Sequence, residues 1–137
     1  MTILINTSIF IKKGIKVIGL GIDLCEVKRF ERLQENELFL QRVFSADEIA
    51  YCKKRTQSAQ SFAARFAAKE AFGKALGIGI SGGVTLREVE VKHDEMNKPF
   101  LELSGETKNI AAKFGVTKIH VSLTHEKDMA AAVVILE

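Results

Sequence analysis

Two acidic residues, Asp23 and Glu70, are placed where they could bind a metal ion. Asp23 ends a short apolar stretch that contains two glycines, and Glu70 lies among small and aromatic residues just before a glycine-rich loop. Two carboxylates, completed by water and phosphate oxygens, are a ligand set that suits Mg²⁺, a hard cation. The sequence therefore predicts a magnesium site for a ligand that carries phosphate.

Basic residues and glycines surround Glu70 in the sequence. Arg65, Lys69 and Lys74 could neutralise phosphate oxygens, and an arginine suits bidentate contact with a phosphate. For any one of them alone, a solvated base on a helix is the simpler interpretation. The glycine-rich segment 77–83 frees the backbone to approach a ligand, although it lacks the Gly-Lys-Ser/Thr ending of a P-loop.

Each acid also has a purely structural interpretation. Asp23 and Glu26 have the spacing of a capping box, so Asp23 could cap a helix instead of serving as a metal ligand or general base. Glu70 could form an exposed ion pair with Lys74, worth about 0.3–0.5 kcal/mol. His125, at the predicted end of a strand, is more typical of a surface or capping residue than of a catalyst. The residue pattern alone leaves these alternatives open.

The surrounding pattern predicts the elements that position these residues. Lys16–Ile22 is apolar and β-branched, as in a strand, and Asp23 would lie where this strand gives way to a helix. A long helix follows Gln57–Ser61, and its small face is narrow enough for another backbone to come close; this face contains Ala64, Ala68, Ala71 and Ala75. Further helices are predicted over 24–33, 35–43, 45–54 and 104–114, and further strands over 86–93, 100–103, 118–123 and 129–136. Ser45 and Glu48 have the spacing of a capping box that would open the helix over 45–54.

The order of these elements favours an α+β fold, because helices dominate the first half and strands the second. Turns are expected at 94–99 and 124–128, and the last strand, which is apolar throughout, is expected to be buried on both faces. The basic residues 53–55 lie near the end of a predicted helix, where cations suit the helix dipole.

Composition and length point to one domain over residues 16–137. Apolar residues make up 47% of the 137-residue chain and the formal charge is only +3, so nothing demands a nucleic-acid partner. Cys25 and Cys52 lack a CxxC spacing and suggest free thiols in a reducing compartment.

Residues 1–15 are interpreted as an N-terminal extension: an extra strand, a disordered arm or the product of an upstream start. Their apolar part precedes its lysines and is too short to span a bilayer.

Three stretches match, in the same order, the motifs of one enzyme family. They are Ile18–Phe30 (IGLGIDLCEVKRF), Arg65–Gly77 (RFAAKEAFGKALG) and His120–Val134, in which HVSLTH precedes an alanine-rich strand. Together they resemble holo-[acyl-carrier-protein] synthases, the small bacterial 4′-phosphopantetheinyl transferases, over nearly the whole chain from about Val17. One departure is Ile78, which stands where the family usually has a threonine, so a hydroxyl contact from that side chain is absent.

The resemblance implies a 4′-phosphopantetheinyl transferase fold, with a long helix packed on a small, mostly antiparallel sheet. It implies transfer of the 4′-phosphopantetheine group from coenzyme A to a serine of apo-acyl carrier protein, with release of 3′,5′-ADP, in support of fatty acid biosynthesis. Such enzymes are typically cytoplasmic homotrimers with sites between subunits. Neither nucleic acid nor a membrane is an expected partner.

The resemblance also assigns roles to particular residues. It implies that Asp23 and Glu70 bind Mg²⁺ together with the coenzyme A pyrophosphate, and that Lys74 acts with them in catalysis on the leaving-group side of this diphosphate. The proton of the serine would go to Asp23 or to a metal-bound water. The positions expected to contact coenzyme A are Arg65, Lys74, Gly77 and His125.

Acyl carrier proteins are acidic, so the surface that meets them should be basic. The helix expected after Asp23 carries Lys28, Arg29 and Arg32, which are the candidates for this surface. Two other functions remain as alternatives: a catalytically silent module that binds coenzyme A or a nucleotide, suggested by Ile78, and a small RNA-binding domain. The second has little support, because no strand interleaves aromatic with basic residues as a base-stacking platform requires.

Overall fold

The computed structural model describes Gly14 and residues 16–137, which form a three-stranded antiparallel sheet, a β-hairpin and five helices. The elements run β1 Gly19–Glu26, α1 Val27–Leu33, α2 Glu37–Val43, α3 Ala46–Lys53, α4 Ser58–Leu76, β2 Val89–His93, β3 Pro99–Leu103, α5 Gly105–Lys113, β4 Ile119–Glu126 and β5 Met129–Leu136. Short 3₁₀ turns lie at Ile80–Gly82 and Leu86–Glu88. Apart from Gly14, the predicted N-terminal extension lies outside the described residues.

The sheet and the long helix form the predicted arrangement. The three strands are ordered β1-β5-β4, all antiparallel, and α4 packs across their inner face, while β2 and β3 form the separate hairpin. The expectation of an α+β fold with a long helix on a small, mostly antiparallel sheet is confirmed. No helix in the described part of the chain combines the length and the apolar character needed to cross a membrane.

Strand β1 and helix α4 touch through their backbones. A Cβ atom added at Gly21 would overlap the carbonyl oxygen of Ala71, and one added at Gly19 would overlap that of Ala75. The small face of α4 therefore receives a strand that has no side chains at the points of contact, which confirms the predicted close approach of another backbone. The two glycines are required here because any larger residue would push β1 off the helix.

Aromatic side chains pack α1 and α2 against the first half of α4. Phe30, Phe44 and Phe62 are fully buried; the rings of Phe30 and Phe62 stack with centroids 6.2 Å apart, and Phe44 meets Phe62 edge-on at 5.1 Å. Such aromatic pairs add about 0.5–1.5 kcal/mol each to the effect of burying their area. Because Phe30 of α1 is buried in this packing, the opposite face of α1 is exposed.

The prediction that Asp23 caps a helix is wrong. Strand β1 continues to Glu26, Asp23 pairs with Ala132 of β5, and α1 begins at Val27 without a side-chain cap. The long partner strand supplies ladder hydrogen bonds as far as Met129, and these outweigh the local capping signal. The capping box at Ser45 and Glu48 is confirmed, since each residue's side chain accepts a hydrogen bond from the other's backbone N–H.

The second half of the chain also differs in detail from expectation. Strand β4 runs to Glu126, because the same partner β5 pairs with it that far, so the turn expected at 124–128 is shorter. Residues 86–88 form a 3₁₀ turn instead of the start of β2. In β5, residues on one face are buried and those on the other are half-buried or exposed, so the strand is not buried on both faces.

Candidate active site

Asp23 and Lys74 meet where β1 crosses the last turn of α4. Asp23 lies on the same face of β1 as Gly19 and Gly21, so its side chain points towards the helix. The ammonium of Lys74 donates hydrogen bonds to Asp23 Oδ1 at 2.7 Å and to the carbonyl oxygen of Ile22 at 3.1 Å. The bond to Asp23 raises the pKa of Lys74 above its ordinary value. The predicted acid and base are thus brought together from residues far apart in the sequence.

Glu70 lies one helical turn before Lys74 and is half-buried. Burial raises the pKa of Glu70, and the negative charge of Asp23 raises it further, while Lys74 and Arg29 oppose the shift. Among the described residues, the carboxylate within 4.0 Å of Lys74 is that of Asp23 and not that of Glu70. The structural alternative for Glu70, an ion pair with Lys74, is therefore wrong.

The two carboxylates fit a hard divalent cation. Their mutual repulsion is what a bound cation would relieve, and both offer oxygen ligands of the kind that Mg²⁺ prefers. Across residues 16–137 no group of three or more His, Cys, Asp or Glu side chains could hold a metal. An ion held by Asp23 and Glu70 would thus keep several positions for water or ligand oxygens, which is usual for Mg²⁺.

The end of α4 is open beside these carboxylates. Gly77 follows the helix in the left-handed conformation, with φ at 82°, and its N–H bonds to the carbonyl oxygens of Gly73 and Lys74. Nothing lies within 4 Å of where a Cβ of Gly77 would stand. The side chain of Ile78 packs over Gly82, so in this loop it serves as packing.

A separate cavity of about 530 Å³ lies on another side of α4 and is rich in cations. Arg65 and His125, two of the residues expected to bind coenzyme A, both line it, and α3, β4 and the residues around the β2–β3 turn also contribute to its wall. Asp23, Glu70, Lys74 and Gly77 do not line it. The structure therefore divides the predicted site into a carboxylate site (Asp23, Glu70 and Lys74) and a cation cavity.

Arg65 is the buried cation of this cavity. Only 4% of the residue is exposed, its guanidinium lies over the ring of Tyr51 at 4.2 Å, and its Nη1 donates to Ser61 Oγ at 3.0 Å. Its Nε is buried and has no hydrogen-bond partner in the described structure, and no carboxylate there lies within ion-pair distance of Arg65. Because an unpaired buried cation is costly, this arrangement is suited to an anionic ligand.

Several residues of the cation cavity were missed by the sequence analysis. Tyr51, Lys54, Arg55 and His93 line it, the guanidinium of Arg55 lies 5.3 Å from the ring centroid of Tyr51, and the ring of His93 stacks on that of Tyr51. Burial, helped by the charges of Arg65 and Arg55, lowers the pKa of His93. The run of basic residues at 53–55 was the available signal, but it was interpreted as a complement to the helix dipole.

The expectation that Lys69 could neutralise phosphate is wrong. Lys69 is 0% exposed, and its ammonium donates to Glu48 Oε1 at 2.7 Å within the core. By contrast, the three basic residues proposed to meet a carrier protein, Lys28, Arg29 and Arg32, are all exposed on α1. That helix directly follows the strand that carries Asp23, so the basic surface adjoins the carboxylate site.

Comparison with protein families gives a match over most of the chain. Residues 19–134 match the model of the 4′-phosphopantetheinyl transferase superfamily. The chain is 48% identical over 121 residues to the holo-[acyl-carrier-protein] synthase of Syntrophus aciditrophicus, covering 87% of this chain and 94% of that protein. It is also 48% identical to the same enzyme of Treponema denticola, covering 88% and 98% of the two chains.

Solved structures of the same enzyme share the fold. The holo-[acyl-carrier-protein] synthase of Neisseria meningitidis gives a TM-score of 0.81 at 31% identity, covering 89% of this chain and 99% of that one. That of Bacillus anthracis, solved in complex with CoA (3′,5′-ADP), gives a TM-score of 0.72 at 34% identity, covering 88% and 96%. This chain belongs to the holo-[acyl-carrier-protein] synthase family of the 4′-phosphopantetheinyl transferase superfamily.

Proposed function

We propose that the protein transfers the 4′-phosphopantetheine group of coenzyme A to a serine of apo-acyl carrier protein and releases 3′,5′-ADP, in a magnesium-dependent reaction. The observation that carries this proposal is the meeting of Asp23, Glu70 and Lys74 at the open end of α4, in a chain of this family. Relatives from Bacillus anthracis and Helicobacter pylori were solved with coenzyme A or its nucleotide, which supports the choice of donor.

Phosphoryl transfer requires charge neutralisation and positioning more than covalent catalysis. Asp23 and Glu70 would hold the Mg²⁺, which, when bound, neutralises charge on the diphosphate of the donor. Lys74, hydrogen-bonded to Asp23, places a second positive charge beside the 5′-phosphate that leaves with the nucleotide. The serine proton would pass to Asp23 or to a water held beside it, and the hydrogen bond from Lys74 fixes the Asp23 carboxylate at this site.

The cation cavity is suited to the phosphate of coenzyme A that lies outside the reacting diphosphate. Arg65 supplies a buried guanidinium without an acidic partner, and Lys54, Arg55 and His125 line the same space. Arg65 and Glu70 are five residues apart on α4, about 140° around its axis, so the cavity and the carboxylate site face different directions. We propose that one ligand spans the cavity of one subunit and the carboxylate site of the next.

An exposed apolar surface supports this assembly. The outer face of β1 presents Leu20, Ile22 and Leu24, which are 64%, 64% and 63% exposed in the single chain. A row of large apolar side chains open to water favours association with a complementary surface. We propose that this face joins the subunits of a cytoplasmic homotrimer. Light scattering should give three times the chain mass, and an Ile22→Lys variant should dissociate.

The basic face of α1 is the proposed docking surface for the second substrate, the acyl carrier protein. Lys28, Arg29 and Arg32 form it, and complementary charge would steer an acidic carrier protein to the carboxylate site. A triple change of these residues to glutamate should raise KM for the carrier protein while leaving KM for coenzyme A unchanged. An equal effect on both substrates would contradict this placement.

Mass spectrometry tests the activity directly. The protein is incubated with coenzyme A, Mg²⁺ and an apo-acyl carrier protein, and the carrier should gain the mass of one phosphopantetheine group. EDTA, and separately omission of coenzyme A, should abolish the gain. If the protein binds coenzyme A but modifies no carrier protein, it is a silent binding module and the proposal of transfer fails.

A further inference from the structure

Lys69 and Glu48 form a buried ion pair at the junction of α3, α4 and the hairpin. Both side chains are almost completely buried, with 0% and 1% of their surface exposed. The ammonium of Lys69 has three acceptors: Glu48 Oε1 at 2.7 Å and the carbonyl oxygens of Leu86 at 3.0 Å and Val89 at 2.6 Å. Since an ammonium has three protons to donate, its hydrogen-bonding capacity is fully used.

The carboxylate of Glu48 is also fully engaged. Oε1 accepts from Lys69 and from the backbone N–H of Ser45, and Oε2 accepts from the backbone N–H of Val91 at 3.1 Å. Burial lowers the pKa of Lys69, whereas the charge of Glu48 and its hydrogen bond oppose that shift. A buried pair with every donor and acceptor satisfied specifies one arrangement of the elements that it joins.

The pair takes the place of a strand beside β2. Strand β2 pairs with β3 on one side only, and on its other side the Val89 carbonyl and the Val91 N–H point into the protein core. Unpaired backbone groups would be costly there. Lys69 donates to the Val89 carbonyl, and Glu48 accepts from the Val91 N–H. The position of the hairpin therefore depends on these two side chains.

Each of the joined elements carries a wall residue of the cation cavity at a short distance along the chain from the pair or from a backbone group that the pair binds. Tyr51 follows Glu48 by three residues on α3, and Arg65 precedes Lys69 by four residues on α4. His93 lies on β2, the strand that also contains Val89 and Val91. On the two helices these offsets place Tyr51 and Arg65 on the same faces as Glu48 and Lys69, and on β2 His93 lies two residues beyond the Val91 N–H that Glu48 binds. Tyr51 touches both of the other wall residues: the Arg65 guanidinium and the His93 ring lie 4.2 Å and 5.3 Å from its ring centroid.

We propose that Lys69 and Glu48 are positioning residues for coenzyme A binding: their pair sets the placement of Arg65, Tyr51 and His93 against one another. This inference rests on the proposed function, because it takes the cation cavity to be the binding site for the phosphate of coenzyme A outside the diphosphate. It assigns Lys69 no contact with the ligand, in contrast to its immediate neighbour Glu70.

The test compares three variants by KM for coenzyme A, kcat, calorimetric binding of coenzyme A and thermal denaturation. Lys69→Met should raise KM for coenzyme A by about tenfold or more and change kcat by much less, because the wall residues are misplaced while the carboxylate site is kept. It should also lower the melting temperature, since Glu48 is left buried and unpaired. If coenzyme A binds to this variant as to the wild type, the inference is overturned.

The double variant Glu48→Gln/Lys69→Met separates positioning from stability. It leaves no unpaired buried charge, so the melting temperature should recover towards that of the wild type. It still lacks the donor to the Leu86 and Val89 carbonyls, so KM for coenzyme A should stay raised. Recovery of KM together with the melting temperature would show a merely structural pair and overturn the inference, and the variant remains measurable if Lys69→Met fails to fold.

Leu40→Ala is the matched control. Leu40 is fully buried on α2 and lines neither the cation cavity nor the carboxylate site. This variant should lower the melting temperature and leave KM for coenzyme A unchanged; an equal rise in KM would overturn the inference. Absence of coenzyme A binding by the wild-type protein would overturn the proposed function, and the inference with it, whereas unchanged binding by Lys69→Met overturns the inference alone.

Discussion

The carboxylate site and the cation cavity use the same helix in opposite ways. At the end of α4, Lys74 is exposed and paired with Asp23. Its single positive charge balances only one of the two carboxylates at this site, Asp23 and Glu70. Further back along α4, Arg65 is buried and has no acidic partner. One region thus has an excess of negative charge and the other an unpaired positive charge, so each is suited to a ligand of opposite sign.

This contrast shows how one helix can hold two chemically different binding regions. The carboxylate site is assembled by the backbone contact of β1 with α4, whereas the cation cavity is assembled by side chains from α3, α4, β2 and β4. Substitutions should therefore affect the two regions separately: changes at the first should alter chiefly turnover, and changes at the second chiefly the affinity for coenzyme A.

The largest effect is expected at the carboxylates. Asp23→Asn and Glu70→Gln should each lower kcat by about a hundredfold or more, because each removes a charge needed for electrostatic stabilisation of the transferring group. Binding of coenzyme A in the cation cavity should change much less. Glu31→Gln, an exposed change on α1, is the control. Turnover close to that of the wild type in either variant would contradict the metal assignment.

Arg65→Met should weaken binding of coenzyme A by about 10- to 100-fold, which corresponds to the loss of charge-assisted hydrogen bonds. Its kcat at saturating coenzyme A should change far less. Because the unpaired buried charge is removed, the melting temperature of the ligand-free protein should stay the same or rise. A marked fall in that melting temperature would mean that Arg65 stabilises the fold and is not held in readiness for an anion.

Gly21→Ala tests the backbone contact that places Asp23. The added methyl group would overlap the carbonyl oxygen of Ala71, so β1 must shift and the free energy of unfolding should fall by about 1–3 kcal/mol. The shift should lower kcat by moving Asp23 relative to Glu70 and Lys74, while calorimetry should still detect coenzyme A binding. Unchanged turnover would show that the carboxylate site tolerates movement of the strand.

The smallest effect concerns His93 and pH. The pKa of His93 in the folded protein is lowered by burial and by Arg65 and Arg55, so below about pH 6.5 the unfolded chain binds this proton more readily. Stability should therefore decline as pH falls from 7 to 5, and His93→Gln should make that decline less steep. Parallel pH profiles of unfolding free energy for the two proteins would contradict this.

The structural features that could be predicted from the sequence are those that depend on the spacing of neighbouring residues. The small face of α4, the capping box at Ser45 and Glu48, and the hairpin around Pro99 follow from residues within a few positions of one another, and all three are present. The fold class, which the family resemblance implied, is confirmed as well. Asp23 and Glu70 could be singled out because acids are unusual in such apolar and small-residue surroundings.

Features that depend on distant residues could not be predicted in this way. The environment of Lys69 is set by Glu48, Leu86 and Val89, about twenty positions away on either side, so a buried lysine was interpreted as a phosphate ligand. The length of β1 is set by its partner β5, more than a hundred residues later. The division of the predicted ligands into two regions likewise arises only when α4 is packed against its neighbours.

The contact of Gly19 and Gly21 with α4 has a consequence for the precision of catalysis. Where two elements meet through side chains, their separation varies as those side chains change rotamer. At Gly19 and Gly21 the strand meets backbone atoms of the helix directly, and peptide atoms have no rotamers to exchange. The backbone positions that carry Asp23 and Glu70 are thereby held at a fixed separation, without large apolar side chains between the two elements at these points.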